Sequence, residues 1–191
     1  SRNSMTGEFF PGIPKYLPIA DSMGRPINDR DAGYPLQLIT YRQSTQTKSR
    51  TNGCYWLLAV APENSVMINR LTAQELGFQE GETVRITSAS NPTGEWDLGE
   101  LGKKPVVGKL KVVEGIRPGV ISFPLGFGHW ANGASDLTID GVTIPADERR
   151  AQGIHANAVM RVDPQLGNTC LSDLVGGSAV FYDTWVKLTR V

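Results

Sequence analysis

The sequence predicts a mainly β domain whose strands close into a barrel, with short helices and long loops. Three observations carry this. Short apolar or alternating runs recur from residue 36 to the C-terminus, and only one segment shows capped helical periodicity. Glycine or proline marks nearly every join, with 21 Gly and 12 Pro among 191 residues.

Residues 1–33 show neither period. Phe10-Pro11-Gly12-Ile13-Pro14, Leu17-Pro18 and Met23-Gly24-Arg25-Pro26 predict an extended arm or linker from a preceding domain. Phe9, Phe10, Tyr16 and Leu17 would anchor that arm on a neighbour, and the barrel is expected over 34–191. The first strand is Leu36 to Tyr41, followed by a wholly polar stretch, Arg42 to Gly53, dense in hydrogen-bond donors. An apolar patch at Tyr55 to Val60 precedes a strand at Val66 to Asn69. Asn69 then caps a short helix whose apolar positions are Leu71, Ala73 and Leu76 and which Gly77 stops. Glu80-Gly81 turns into an alternating strand, Thr83 to Thr87.

Ala89 to Pro105 reads as an excursion loop, with Trp96 packed on the barrel, and Val106 to Val113 resumes strand. Arg117-Pro118-Gly119 is a tight turn into a short apolar strand, Val120 to Phe123. Pro124, Gly126 and Gly128 then break both periods and leave a backbone that something could approach closely. His129, Trp130 and Asn132 end this stretch, which has the character of a ligand loop delivered by a buried strand. Polar turns follow through Arg149-Arg150, a solvated turn, and His155 and Asn157 read as turn residues. Ala158 to Val162 reads as a short strand, Leu166 to Gly177 as a loop, and Val180 to Val191 as a final strand. No internal repeat is visible.

Composition excludes several classes. With 40% hydrophobic and 20% charged residues the chain is an ordinary globular domain. Nineteen basic residues balance nineteen acidic ones, so no net field recruits nucleic acid or anionic lipid. No apolar run reaches membrane-spanning length, and no signal-peptide pattern opens the chain. Cys54 and Cys170 lie far apart and make no metal site by spacing. Ser1-Arg2-Asn3-Ser4 reads as the inside of a longer chain or as residues left by cloning.

Three segments together resemble the C-terminal cofactor-binding domain of the dimethyl sulfoxide reductase family of molybdenum enzymes. They are Leu38 to Arg42 through Ser49-Arg50-Thr51; Val66 to Asn69 with Ala73 to Gly77 and Gly81 to Ile86; and Glu114 to Val120 with the loop ending at His129. The resemblance runs from Tyr34 to the C-terminus. Within the family, Gly126 to Ala131 and Gly176-Gly177-Ser178 are similar to the tetrathionate and arsenate reductase branch. It implies a six-stranded double-psi β-barrel and the bis(molybdopterin guanine dinucleotide) cofactor with molybdenum, shared with other domains. Thr40, Arg42, Gln43, Ser44, Thr47, Ser49, Arg50 and Thr51 would line one cofactor face, joined by His129, Trp130, Asn132 and Tyr182. At Tyr182 relatives carry a Lys or polar residue. Leu125 would sit near the substrate funnel.

The arginines can fork onto phosphate or ring oxygens, and the hydroxyls adapt to either polarity. The implied partners are an iron–sulfur electron-transfer subunit, together with the remaining domains of the same catalytic subunit. The branch alone points to the extracytoplasmic face. The chain by itself is expected to be inactive, with no catalytic residue and no metal ligand of its own. The expected whole is a reductase of a sulfur or arsenic oxyanion such as tetrathionate.

Two other classes compete. Double-psi barrels also occur in pyruvoyl-dependent decarboxylases, which cut a Gly-Ser bond such as Gly177-Ser178. A non-catalytic barrel binding protein partners would have no use for the donor-rich loop. Read on residue type alone, that loop is more often a solvated surface than a ligand wall, and a single His before Trp, as at His129, is usually a structural residue.

Overall fold

The computed structural model describes every residue of the chain except Lys15, Asn132 and Leu174. Asn132, expected in the site, therefore lies outside the described residues. In chain order the elements are β1 (Leu36–Tyr41), α1 (Tyr55–Val60), β2 (Val66–Asn69), α2 (Arg70–Leu76), β3 (Thr83–Ser88), β4 (Glu95–Asp97), β5 (Lys103–Pro105), β6 (Val107–Val113), β7 (Val120–Pro124), β8 (Leu137–Ile139), β9 (Val142–Ile144) and β10 (Thr184–Arg190).

Six strands close a barrel in the order β1-β10-β3-β6-β2-β7. β1 pairs with β7, and β2 with β6, in parallel; the other four pairings are antiparallel. Exchanging the set β1, β2, β3 for β6, β7, β10 leaves this pairing map unchanged. The molecule is thus a double-psi β-barrel whose two halves repeat in topology, although no repeat is visible in the residues. β4–β5 and β8–β9 form separate two-stranded hairpins.

The core is mostly aliphatic, with Phe123 at its centre. Leu38, Val66, Ile68, Val84, Ile86, Ile121, Phe123 and Val186 are fully buried. β7 is buried along its whole length: Ile121 and Phe123 join the core, and Val120, Ser122 and Pro124 at the alternate positions are buried as well. Burial of both faces accounts for a strand that, Ser122 apart, is apolar at every position instead of alternating. The Asn69 side chain accepts from the Leu71 N–H at 2.8 Å, and Gly77 ends α2 at φ 73°. The helix nevertheless buries Thr72 and Ala73, while Leu71 and Leu76 stay exposed. At seven residues, α2 is too short for its apolar stripe to decide which face packs.

Several segments differ from expectation. The patch at 55–60 is a helix, and the excursion at 89–105 contains the β4–β5 hairpin with Trp96 packed on the core. The turns after Asn132 contain β8–β9. Residues 158–162 are not a strand: a 3-10 turn runs through Ala156–Ala158, and Ala158, Val159 and Met160 are buried consecutively. Consecutive burial leaves no alternation for a sheet, and only Val162 forms a bridge, to Cys170.

The arm is tied down in its second half. Ser22 N–H donates to Asp163 at 2.7 Å, and Arg161 pairs with Asp29 at 2.6 Å. Further upstream, Phe9, Tyr16 and Leu17 are exposed. Among the described residues no helix is long and apolar enough to cross a membrane.

Candidate functional site

Strand direction gathers one end of the barrel. The C-terminal ends of β1 and β7 lie there with the starts of β2, β6 and β10. The polar stretch after β1, the glycine stretch after β7, and the residues just before β2, β6 and β10 therefore meet. Leu125 N–H donates to Tyr41 O at 2.9 Å, carrying the β1–β7 pairing one step into the loops.

Glycine sets the next contacts. Gly126 has φ 99°, and a Cβ there would lie 2.6 Å from Lys48 O. Gly128, at φ 68°, receives residues 153–155, with a Cβ position 2.6 Å from the Ile154 carbonyl carbon. The close approach these glycines permit is thus made by the protein's own backbone. Asn64 closes the frame: its Nδ2 donates to Pro124 O (2.9 Å) and Ile154 O (3.0 Å), and its Oδ1 accepts from Ile154 N (2.7 Å). Nothing in the residue pattern singles out Asn64.

The loop seated on Gly126 holds its donors open. Among the described residues, the side chains of Arg42, Gln43, Ser44, Thr47, Ser49 and Arg50 have no hydrogen-bond or ion-pair partner. Beneath them Thr45 Oγ1, Gln46 Nε2 and Asn52 Nδ2 are buried without a partner. Each such atom costs about 1–3 kcal/mol. Lys48 is held at φ 53°, a left-handed conformation that adds about 1–2 kcal/mol for a residue with a Cβ. Thr51 differs from its neighbours: its hydroxyl donates to Gln46 Oε1 (2.6 Å) and accepts from Thr47 N (2.8 Å), bracing the loop from inside. Thr40 is buried in β1.

A cluster of four rings, with His129 buried and Trp96, Trp130 and His155 half-buried, backs this end. Trp130 packs edge-on to Trp96 (centroids 4.4 Å apart) and to His155 (4.9 Å), and the two imidazoles are 5.4 Å apart. His129 is 5% exposed, and its Nε2 lies 3.2 Å from Gly126 O. A carbonyl only accepts, so Nε2 carries the proton. Burial holds the His129 pKa below its usual value, against the Gly126 bond and with help from Lys104. Burial also pushes His155 down, with His129 and Lys104 adding to it, to about 4. Both rings are neutral at pH 7. His155 Nδ1 is buried without a partner.

A cleft of about 170 Å³ opens between Lys48, Ser49, Leu125, Gly126, His155 and Phe181. Leu125 lines it. Tyr182 is exposed two residues before β10, which begins at Thr184 and not at Val180 as expected, and its carbonyl accepts from Gln37 Nε2 at 2.9 Å. The structure thus gathers the loop residues and Leu125 at one end, and turns His129 toward its own loop carbonyl. His155 and Asn157, read as turn residues, line the cleft. Arg150, read as solvated, donates to the Tyr55 hydroxyl at 2.9 Å. Among the described residues no group of three His, Cys, Asp or Glu side chains could hold a metal ion.

An open set of arginine, amide and hydroxyl donors on a rigid barrel end defines a binding domain for an extended ligand rich in acceptors. The family described as "Molydopterin dinucleotide binding domain" matches residues 36–171, and the chain belongs to it. A selenate reductase subunit from Mesobacillus selenatarsenatis is 46% identical over 192 residues, covering 100% of this chain and 18% of that protein. A tetrathionate reductase subunit from Salmonella typhimurium is 34% identical, again over 100% of this chain and 18% of that protein. The molybdopterin-containing subunit of an arsenate respiratory reductase from Shewanella sp. is 28% identical over 59% of this chain and 13% of that protein. The chain therefore spans less than a fifth of these relatives. The structure of acetylene hydratase from Pelobacter acetylenicus shares the fold, with a TM-score of 0.58 and 18% identity over 93% of this chain and 21% of that one.

The ligand of this family is a molybdopterin dinucleotide. The residues present fit it. Partnerless arginines suit phosphate, and the open amide of Gln43 with the hydroxyls of Ser44, Thr47 and Ser49 suits a pterin edge.

Proposed function

We propose that this chain is the cofactor-holding domain of the catalytic subunit of a molybdenum oxidoreductase that reduces an oxyanion of sulfur, selenium or arsenic. The cofactor would be the bis form, shared with further domains of the same polypeptide, and residues 1–33 would run in from a preceding domain. Arg42 and Arg50 would hold phosphate or ring oxygens, while Gln43, Ser44, Thr47 and Ser49 would meet the pterin. Thr40 and Thr51 would shape that loop from beneath. His129 and Trp130 would form its rigid backing, Asn132 and Tyr182 would reach the cofactor edge, and Leu125 would border the substrate funnel. The bound cofactor supplies the redox chemistry; these residues bind and orient it. An iron–sulfur subunit would deliver electrons.

One observation carries this reading: among the described residues, six polar side chains without partners stand on a loop fixed by a glycine seat. The relatives named for selenate, tetrathionate and arsenate support the substrate class. The experiment is turnover by the full-length subunit with a reduced dye and each of these three oxyanions. Activity with at least one is expected, with background rates for the 191-residue chain alone. Robust turnover by the short chain would contradict the reading.

A further inference from the structure

The β8–β9 hairpin rises from the loop that carries His129 and Trp130. Asp147 N–H donates to Gly133 O at 2.8 Å and Ala146 N–H to Asp136 Oδ1 at 2.7 Å, closing its base. Asp140 (φ 49°) and Gly141 (φ 77°) make the tight turn that favours two-residue hairpins. The register pairs Leu137 with Ile144, Thr138 with Thr143 and Ile139 with Val142. Side chains alternate along a strand, so Leu137, Ile139, Val142 and Ile144 share one face and the two threonines the other. All four apolar residues are more than half exposed. An isolated two-stranded hairpin is at best marginal in water, and an open aliphatic face makes it less stable still.

Helix α1 carries exposed apolar side chains near the base of the hairpin. Trp56 is 87% exposed, and Val60 is exposed on the same short helix. The Tyr55 ring lies 4.3 Å from the Arg149 guanidinium carbon and 5.2 Å from that of Arg150, which links α1 to the base of the hairpin.

We infer that the aliphatic face of β8–β9, with α1 beside it, is a docking surface for an apolar face of another domain of the same catalytic subunit. This rests on the functional reading above. Size selects the occupant. Six exposed apolar side chains, the four of the hairpin with Trp56 and Val60, fall well short of the roughly 20–30 residues a side that stable complexes of separate chains use. A domain tethered in the same polypeptide needs no such area, because the tether supplies the effective concentration. The relatives that match the whole chain are more than five times its length, and on the functional reading above the same polypeptide would carry such a domain. The hairpin is also continuous with the cofactor end, so docking would fix the loop that carries His129 and Trp130.

The test places a photoreactive benzoylphenylalanine at Val142, or at Thr143 on the opposite face, in the full-length, cofactor-loaded subunit. At Val142 the expected products are cross-linked peptides within one polypeptide, to residues beyond these 191, several-fold more than at Thr143. A band shifted to higher mass, which would signal a second copy or a separate polypeptide, overturns the inference. So do equal yields at the two positions, or no product. Molybdenum and pterin are quantified in parallel in the unlabelled protein. Full cofactor without the Val142 product overturns the docking alone, whereas unlabelled protein that binds no cofactor overturns the functional reading.

Discussion

Two polar regions of this barrel treat their donors in opposite ways. Where the arm meets the barrel, Arg161 donates to Asp29 (2.6 Å), Ser90 Oγ (3.1 Å) and its neighbour's carbonyl, Val162 O (2.9 Å). Beside it Asp163 accepts from the N–H groups of Ser22, Gln165 and Leu166. Burial alone would raise the Asp163 pKa, yet the N–H bonds hold it below the usual carboxylate value. The loop after β1 is as polar, but among the described residues six of its side chains and three of its buried atoms lack partners. A polar cluster that closes on itself is a staple. One held open by a rigid seat is prepared for something else, and the same residue types serve both.

The largest effect should come from filling the seat of the open loop. Gly126→Val puts a Cβ 2.6–2.8 Å from three backbone atoms of Lys48 at a φ of 99°. A loss of about 4 kcal/mol in urea unfolding is expected, since strain and overpacking add. A loss below about 1 kcal/mol would mean the loop is free to lift away. On the closed side, Arg161→Ala strands Asp29 and should cost about 3 kcal/mol by the same measurement.

Acid should separate the two regions. His155 is held neutral down to about pH 4 in the folded chain, whereas in the unfolded chain it takes a proton below about 6.5. The unfolded state then binds more protons, so stability falls as pH drops from about 6.5 to 4, by roughly 2–3 kcal/mol, and levels off below for this group. Asp163, with its lowered pKa, loses its contribution only at lower pH, through and below the usual carboxylate range. His155→Phe should flatten the upper part of the stability–pH curve; an unchanged slope would place the titrating group elsewhere.

Most of the barrel is legible in the residues. β1 and β2 begin and end where the apolar patterns do, and β3, β6 and β7 within a residue of them. Closure and the two-fold pairing map are not legible, because they depend on contacts between distant strands. The β8–β9 hairpin has a readable signal, Asp140-Gly141 between Leu-Thr-Ile and Val-Thr-Ile, hidden by strands of three residues. The donor loop is plain from its composition. Its glycine seat is visible only as punctuation, since the residues cannot say whether a ligand or the chain's own backbone makes the close approach. His155 is obscure in the sequence because burial, not its neighbours in the chain, sets its character.

The smallest expected change in stability carries the central claim. Arg42 and Arg50 are exposed and partnerless, so the Arg42→Ala, Arg50→Ala double variant should change unfolding of the cofactor-free protein by less than about 0.5 kcal/mol. Molybdenum and pterin content of the full-length double variant, measured beside that unfolding, is the direct measurement. The account predicts clear loss of both with unaltered stability of the cofactor-free form. Full cofactor retention, or unfolding of the cofactor-free form, would contradict it.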